Sequence, residues 1–234
     1  AQIAVLSTAQ ITAMTTAQIA AFDTSDIAAI VSANAAVLTS AQAAVLTSAQ
    51  LAAMTTLDTS VLSTADIRAL STDAITGMTA AQAQVLSSAQ ATVLTSAQTS
   101  QFTSDQVAAL RTEAIGAMST TAVRALVSDA IGNLGTAQIA ALTTADIVAL
   151  TTEQITALTA AQIVALTSAD TAVLTSAQAY VLSSAQLGAI ETADFATLRT
   201  SAVRALSTDT IAGLTTAQIA VLSTAQITAM TTAQ

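Results

Sequence analysis

Residues 143–158 read TTADIVALTTEQITAL, two consecutive units of the form Thr-Thr-x-(Gln/Asp)-Ile-x-Ala-Leu. The octad, labelled a to h from Thr143 to Leu150, runs through all 234 residues without an insertion or deletion. Position h is Leu, Met, Ile or Phe from Met14 to Met230, and position e is mostly Ile, Val or Leu. Position b is Ser or Thr except at Ala80 and Ala160, and d is mostly Gln or Asp. Buried positions of a strand share parity. Positions e and h do not, but three residues apart on a helix they occupy one face. The octad is therefore helical.

A single continuous helix does not follow. Eight residues at about 100° each overshoot two turns by roughly 80°, so the Ile/Leu stripe would spiral around the rod. Continuous supercoils use periods near 3.5 or 3.67 residues per turn, and eight fits neither. The local chemistry explains where the helix breaks. Thr at a with Gln or Asp at d is the capping-box pattern, in which the hydroxyl accepts from the backbone near d and the d side chain reaches back to the N–H of a. The preceding Leu and the Ile at e then form a hydrophobic staple. Leu150, Thr151, Gln154 and Ile155 make up one complete helix start, and the signal recurs every eight residues. Each octad is expected to be a separate helix of about two turns, roughly 10 Å long. Isolated helices this short are marginal in water, so stability must come from stacking on neighbours. The fold class expected is all-α, an open-ended solenoid with one short helix per octad. Ile at e and Leu at h should fill its interior, Ala at c and g should allow close helix approach, and the variable f should face outward.

Residues 1–18, AQIAVLSTAQITAMTTAQ, recur identically at 217–234. The offset of 216 residues is 27 octads, which suggests a longer protein tiled from that period. On this reading residues 1–234 are a single continuous octapeptide-repeat array, a fragment of that longer chain. Because 27 is divisible by three but not by two or four, three octads per superhelical turn is favoured. Position e shrinks at Ala35 and Ala43 while Val enters g at Val37 and Val45, a compensation in volume within the array.

Composition removes most chemistry. There is no Cys and no His, which excludes disulfides, thiolate chemistry, histidine acid–base catalysis and the usual zinc sites. A net charge of −9 argues against a nucleic-acid partner. No apolar run approaches the roughly 20 residues of a membrane span. Two carboxylate pairs, Asp23 with Asp26 and Glu191 with Asp194, sit at a and d, where capping already accounts for them. No catalytic, cofactor-binding or metal residue is assigned, no cofactor or small-molecule ligand is expected, and the chain is expected not to be an enzyme. Three landmarks pair Arg with a following Asp: Arg68 with Asp73, Arg124 with Asp129, and Arg204 with Asp209. Each is expected to bridge a corner between helices, or alternatively to mark lateral contacts between fibres. Gly77, Gly132 and Gly213 lie nearby and would let another backbone approach closely.

The stretch 142–166, LTTADIVALTTEQITALTAAQIVAL, resembles the LTTAQIAAL-type octapeptide arrays of bacterial giant surface proteins, and the likeness covers essentially the whole chain. The resemblance implies an extracellular or cell-surface, adhesin-like or fibre-forming role. The function expected is a long, thin structural filament, fibre or stalk, with self-association end to end and laterally. The alternative is an adhesin spacer, or an ice-binding module presenting Thr and Ser rows.

Overall fold

The computed structural model describes residues 3–234. They hold 28 α-helices of four to six residues and one 3-10 turn at Ile3–Val5, and no strand occurs among them. The octad is helical throughout, as expected, but the helices are shorter than the two turns its length suggested. Position a is extended, as at Thr143 with φ −78° and ψ 158°. In the six-residue helices h is extended too, as at Met54 with φ −66° and ψ 144°. Two of the eight residues therefore turn the corner, leaving about one and a half turns of helix. Among the described residues no backbone has positive φ and no peptide is cis. Extended L-residues alone turn these corners, so the chain needs neither Pro nor special glycines to change direction.

The chain forms two compact units, residues up to Ala130 and Ile131–Gln234. In the first, Ser40–Ala43 packs on Thr64–Ala69, Ala80–Gln84 on Ser104–Ala109, and Ser88–Thr92 on Thr112–Ala117. In the second, Thr144–Ala149 packs on Ser168–Val173, Ala160–Val164 on Ser184–Ala189, and Ser176–Tyr180 on Thr200–Ala205. Every one of these pairs joins a helix to the third one after it. Each unit is thus wound as an α-solenoid with three octads, or 24 residues, per turn, the number favoured by the 27-octad period.

The core is a strip of three positions. Ile67 and Leu70, or Ile155 and Leu158, show e and h buried as expected. Position d, read only as a capping position, is buried as well from Asn34 to Gln226 wherever it carries Gln, Asp or Asn. Position f is mostly exposed and g mostly half-buried. Ala at c, expected between helices, is exposed in every octad. A capped helix of five or six residues turns only d, e and h inward, and c lies on the opposite side. Where e shrinks to Ala43, Val45 at g is half-buried, as g is in most octads.

Close backbone approach does occur at the expected glycines, and it is made by the same chain. A Cβ built on Gly77 would lie 1.9 Å from the Ser48 carbonyl oxygen, one on Gly213 2.7 Å from the Ser184 Cβ, and one on Gly132 2.9 Å from the Ala157 carbonyl oxygen. The neighbour is the adjacent solenoid turn, so these glycines need no neighbouring fibre to explain them. Gly77→Ala is expected to lose about 1–3 kcal/mol, because backbone must move to admit the methyl. Gly188, inside Ser184–Ala189, has only the Gly213 carbonyl oxygen at 3.8 Å. Gly188→Ala should gain about 0.5–1 kcal/mol from helix propensity. Opposite shifts in urea midpoint for the two variants would check the pair; shifts of the same sign would contradict the assigned turn spacing.

Candidate functional site

The side chains that recur with defined geometry belong to the joint between successive turns. At Thr151 the N–H donates to Gln154 Oε1 at 2.9 Å, and the hydroxyl accepts from the Gln154 N–H at 3.2 Å. The same reciprocal box, expected from the sequence, closes at Thr47 with Gln50 and at Ser183 with Gln186. Asp fills the d place in the same way at Thr143 with Asp146.

The box occupies only one side of the glutamine amide. The other side reaches the turn before. Gln178 Nε2 donates to the carbonyls of Ile147 at 2.7 Å and Leu150 at 2.9 Å. Gln186 does so to Ile155 and Leu158, both at 2.8 Å, and Gln218 to Leu187 and Ile190. In the first unit Gln42, Gln50, Gln82 and Gln98 repeat the arrangement. One buried side chain therefore starts its own helix and donates to two carbonyls at the C-terminal side of the helix four octads earlier, where intrahelical donors run out; the e carbonyl of the pair can also accept from the N–H three residues on, as Ile155 does from Leu158. Shorter side chains keep part of this clamp: Asn34 Nδ2 donates to the Leu6 carbonyl and Thr210 Oγ1 to the Leu182 carbonyl.

Asp cannot donate, and its second oxygen faces another partner. Asp58 Oδ1 accepts from the Ser32 hydroxyl at 2.8 Å and Asp66 Oδ1 from Ser40 at 3.3 Å. Asp194 Oδ1 accepts from Ser168. Position b of one turn thus meets d of the next. Asp146 Oδ1 is buried without a hydrogen-bond partner.

The clamp was not read from the sequence, although a signal was present. Glu is a standard partner in a capping box, yet no d position carries it. A carboxylate of glutamine's length would set an anionic oxygen against two carbonyl oxygens, so the donor end of the amide is what the site requires.

The two carboxylate pairs are placed as follows. Asp23 Oδ1 accepts from the Ser25 hydroxyl at 2.6 Å and the Asp26 N–H at 2.8 Å, and Asp26 Oδ2 accepts from the Asp23 N–H. The Ser25 hydroxyl, and next the Asp26 N–H, hold the exposed Asp23 carboxyl below its usual pKa. This pair caps a helix. Glu191 makes no side-chain cap, contrary to expectation, and Asp194 turns inward to Ser168. Asp73 lies in a first turn and Arg68 in a last turn, where the helix dipole favours each charge. They do not bridge: Asp73 Oδ2 accepts from the Ser48 N–H at 3.3 Å, one turn away.

Elsewhere the surface is Ser, Thr and Ala with few charges. Many hydroxyls at a are engaged within their boxes, as Thr143 Oγ1 is with Asp146 Oδ2 at 2.6 Å. Several at b bond the next turn, such as Ser176 to the Ser201 carbonyl and Ser184 to the Asp209 carbonyl, both at 3.1 Å. A Ser/Thr row directed at ice gains no support from hydroxyls oriented in this way. A half-open cleft of about 260 Å³ is lined by Leu86, Ser87, Ser88, Arg111, Glu113 and Ala114. Among the described residues no group of three or more Asp or Glu is arranged to hold a metal ion, and no helix is long and apolar enough to cross a membrane.

The sequence model of the ALTTAQ repeat matches residues 19–56, 60–96, 107–144, 144–176 and 187–224, together well over half of the chain. The chain belongs to the ALTTAQ repeat family. The name spells the boundary of the octad as defined above, with h followed by a, b, c and d. Each matched ALTTAQ segment is at least 33 residues long, longer than the 31 residues that separate Gln178 from Ile147. A single ALTTAQ segment can therefore contain both halves of one clamp. No curated protein matches the chain.

Proposed function

We propose that the chain is a structural element, an extracellular or cell-surface filament, fibre or stalk whose length is set by the number of octads. The observation that carries the proposal is the clamp: the same amide-to-carbonyl joint recurs in both units, as at Gln82 and Gln178. Where one joint recurs in this way, stability approximates a sum of nearest-neighbour terms and the array has no preferred size. Each added three-octad turn extends the solenoid by about one helix spacing, some 8–10 Å. The extracellular placement draws on the likeness to surface-protein arrays, and a chain without Cys is compatible with it. We expect no catalysis and no nucleic-acid partner, and self-association end to end and laterally.

Electron microscopy of chains carrying one and two copies of the 216-residue period would test this, with far-ultraviolet circular dichroism as a check on helix. Rods of constant width that double in length are expected. Compact particles, or widths that grow with chain length, would remove the basis for a filament.

A further inference from the structure

We propose that the cleft over Ala114 is a binding site for a primary carboxamide. Its floor is Leu86 and Ala114, both buried, and its open side is Ser87, Ser88, Arg111 and Glu113, all exposed. All six residues lie within the first unit, and the site does not rest on the filament reading. The octad register says what the cleft lacks. Ala114 is a d position, and the clamp reaches carbonyls 28 and 31 residues earlier, which for Ala114 are those of Leu86 and Ala83. Two octads before, Gln98 fills the matching place. Its Oε1 accepts from the Thr95 N–H at 2.9 Å, and its Nε2 donates to the Ile67 and Leu70 carbonyls at 2.8 and 2.9 Å. Alanine supplies none of these atoms. The Ala83 carbonyl still accepts from the Leu86 N–H at 3.2 Å. Among the described residues the Leu86 carbonyl has no donor and the Arg111 N–H has no acceptor.

The vacancy comes with a second change. Arg occupies position a only at Arg111 and Arg199, and both times d is Ala, at Ala114 and Ala202. Neither Arg makes a side-chain cap. The turn before meets both octads in the same way, Ser88 donating to the Glu113 carbonyl at 3.2 Å and Ser176 to the Ser201 carbonyl at 3.1 Å. Both halves of the capping box are thus exchanged together, for an alanine that clears the place and a cation at its mouth. What remains is one N–H and one carbonyl, in register as they are around a glutamine amide. A planar primary amide carries an acceptor oxygen and a donor nitrogen in one rigid group and meets both. A carboxylate of the same shape sets an anionic oxygen against the Leu86 carbonyl, and a tertiary amide has no donor. The ligand is therefore a primary carboxamide, carried by a small free amide or by a glutamine or asparagine side chain of another polypeptide.

Selective ¹⁵N-arginine labelling of the 234-residue chain gives one backbone signal for each of its five arginines. Propionamide should move the Arg111 signal, saturating at about 1–100 mM for a ligand of that size. Arg68, Arg124 and Arg204 lie inside helices at f, and their signals should stay in place. Propionate and N,N-dimethylpropionamide should bind at least about tenfold more weakly. Ala114→Gln supplies a tethered amide at a position where glutamine is the ordinary residue. Circular dichroism should show that variant as helical as the unaltered chain, and its affinity for propionamide should fall at least about tenfold. N-acetylglutamine N-methylamide carries its one primary amide on the side chain. Binding as tight as that of propionamide would support the proposal with a polypeptide side chain as the source, and binding of propionamide alone would support it with a small free amide. An Arg111 signal indifferent to propionamide, propionate bound equally well, or an Ala114→Gln variant that responds like the unaltered chain would each overturn the proposal.

Discussion

At pH 7, Gln178→Glu should destabilise its unit by about 3–5 kcal/mol, the cost of a buried charge without a counter-charge. The substitution is nearly isosteric and leaves no cavity, so packing loss does not explain the effect. Gln178 is buried, its Oε1 accepts from the Thr175 N–H at 2.9 Å, and its Nε2 donates to the Ile147 and Leu150 carbonyls. Exchanging that nitrogen for an anionic oxygen turns two attractions into two repulsions. Gln178→Ala removes the same bonds without adding charge, and Ala occupies d naturally at Ala74 and Ala202. The alanine variant should therefore be the more stable, reversing the usual order in which truncation is worse than an isosteric change. The pH dependence has a definite sign. Burial raises the folded pKa of the introduced carboxyl above the unfolded value of about 4.3. The deficit is present above the folded pKa and shrinks as pH falls through it. Urea midpoints at pH 7 and pH 5 for all three chains would check both points. A glutamate variant more stable than the alanine variant at pH 7 would mean that the amide nitrogen does not face those carbonyls.

Leu150→Asp should cost about 4 kcal/mol or more, combining lost burial with a charge placed among apolar side chains. Leu150 is 4% exposed, and its carbonyl is one of the two held by Gln178. In a stack of nearest neighbours the damage stays local. Hydrogen exchange should quicken in Thr144–Ala149 and in the Ser168–Val173 and Ser176–Tyr180 helices above it, while distant octads remain protected. Val148→Asp, two residues away at an exposed f position, should stay within about 0.5 kcal/mol of the unaltered chain. If the two variants melted alike, h would not be interior.

What the sequence disclosed was whatever eight residues decide among themselves. The capping box at Thr151 with Gln154 is local, and so are the helical spacing of Ile155 and Leu158 and the outward f position. Three octads per turn was legible only through the 27-octad period. What escaped was decided between turns. The second role of Gln178 involves Ile147, 31 residues earlier, and no window of one octad contains both. Ala at c resembled a packing residue because it is small, but a helix of five or six residues has room for only three inward positions. Arg68 and Asp73 looked paired because they are adjacent in sequence, whereas the winding brings the Ser48 backbone to Asp73 first.

The packing contact and the amide clamp do not share a period. A helix rests on the third helix before it, while its glutamine grips the fourth. The arrangement resembles courses of brick laid in running bond, in which no vertical seam continues from one course to the next. A load that peels an octad away must open a face and, one corner over, a clamp that ties a different neighbour. A crack along either set of contacts therefore meets an unbroken member of the other. Strength in such a wall comes from the stagger, and the stagger here is the one-octad difference between the two reaches.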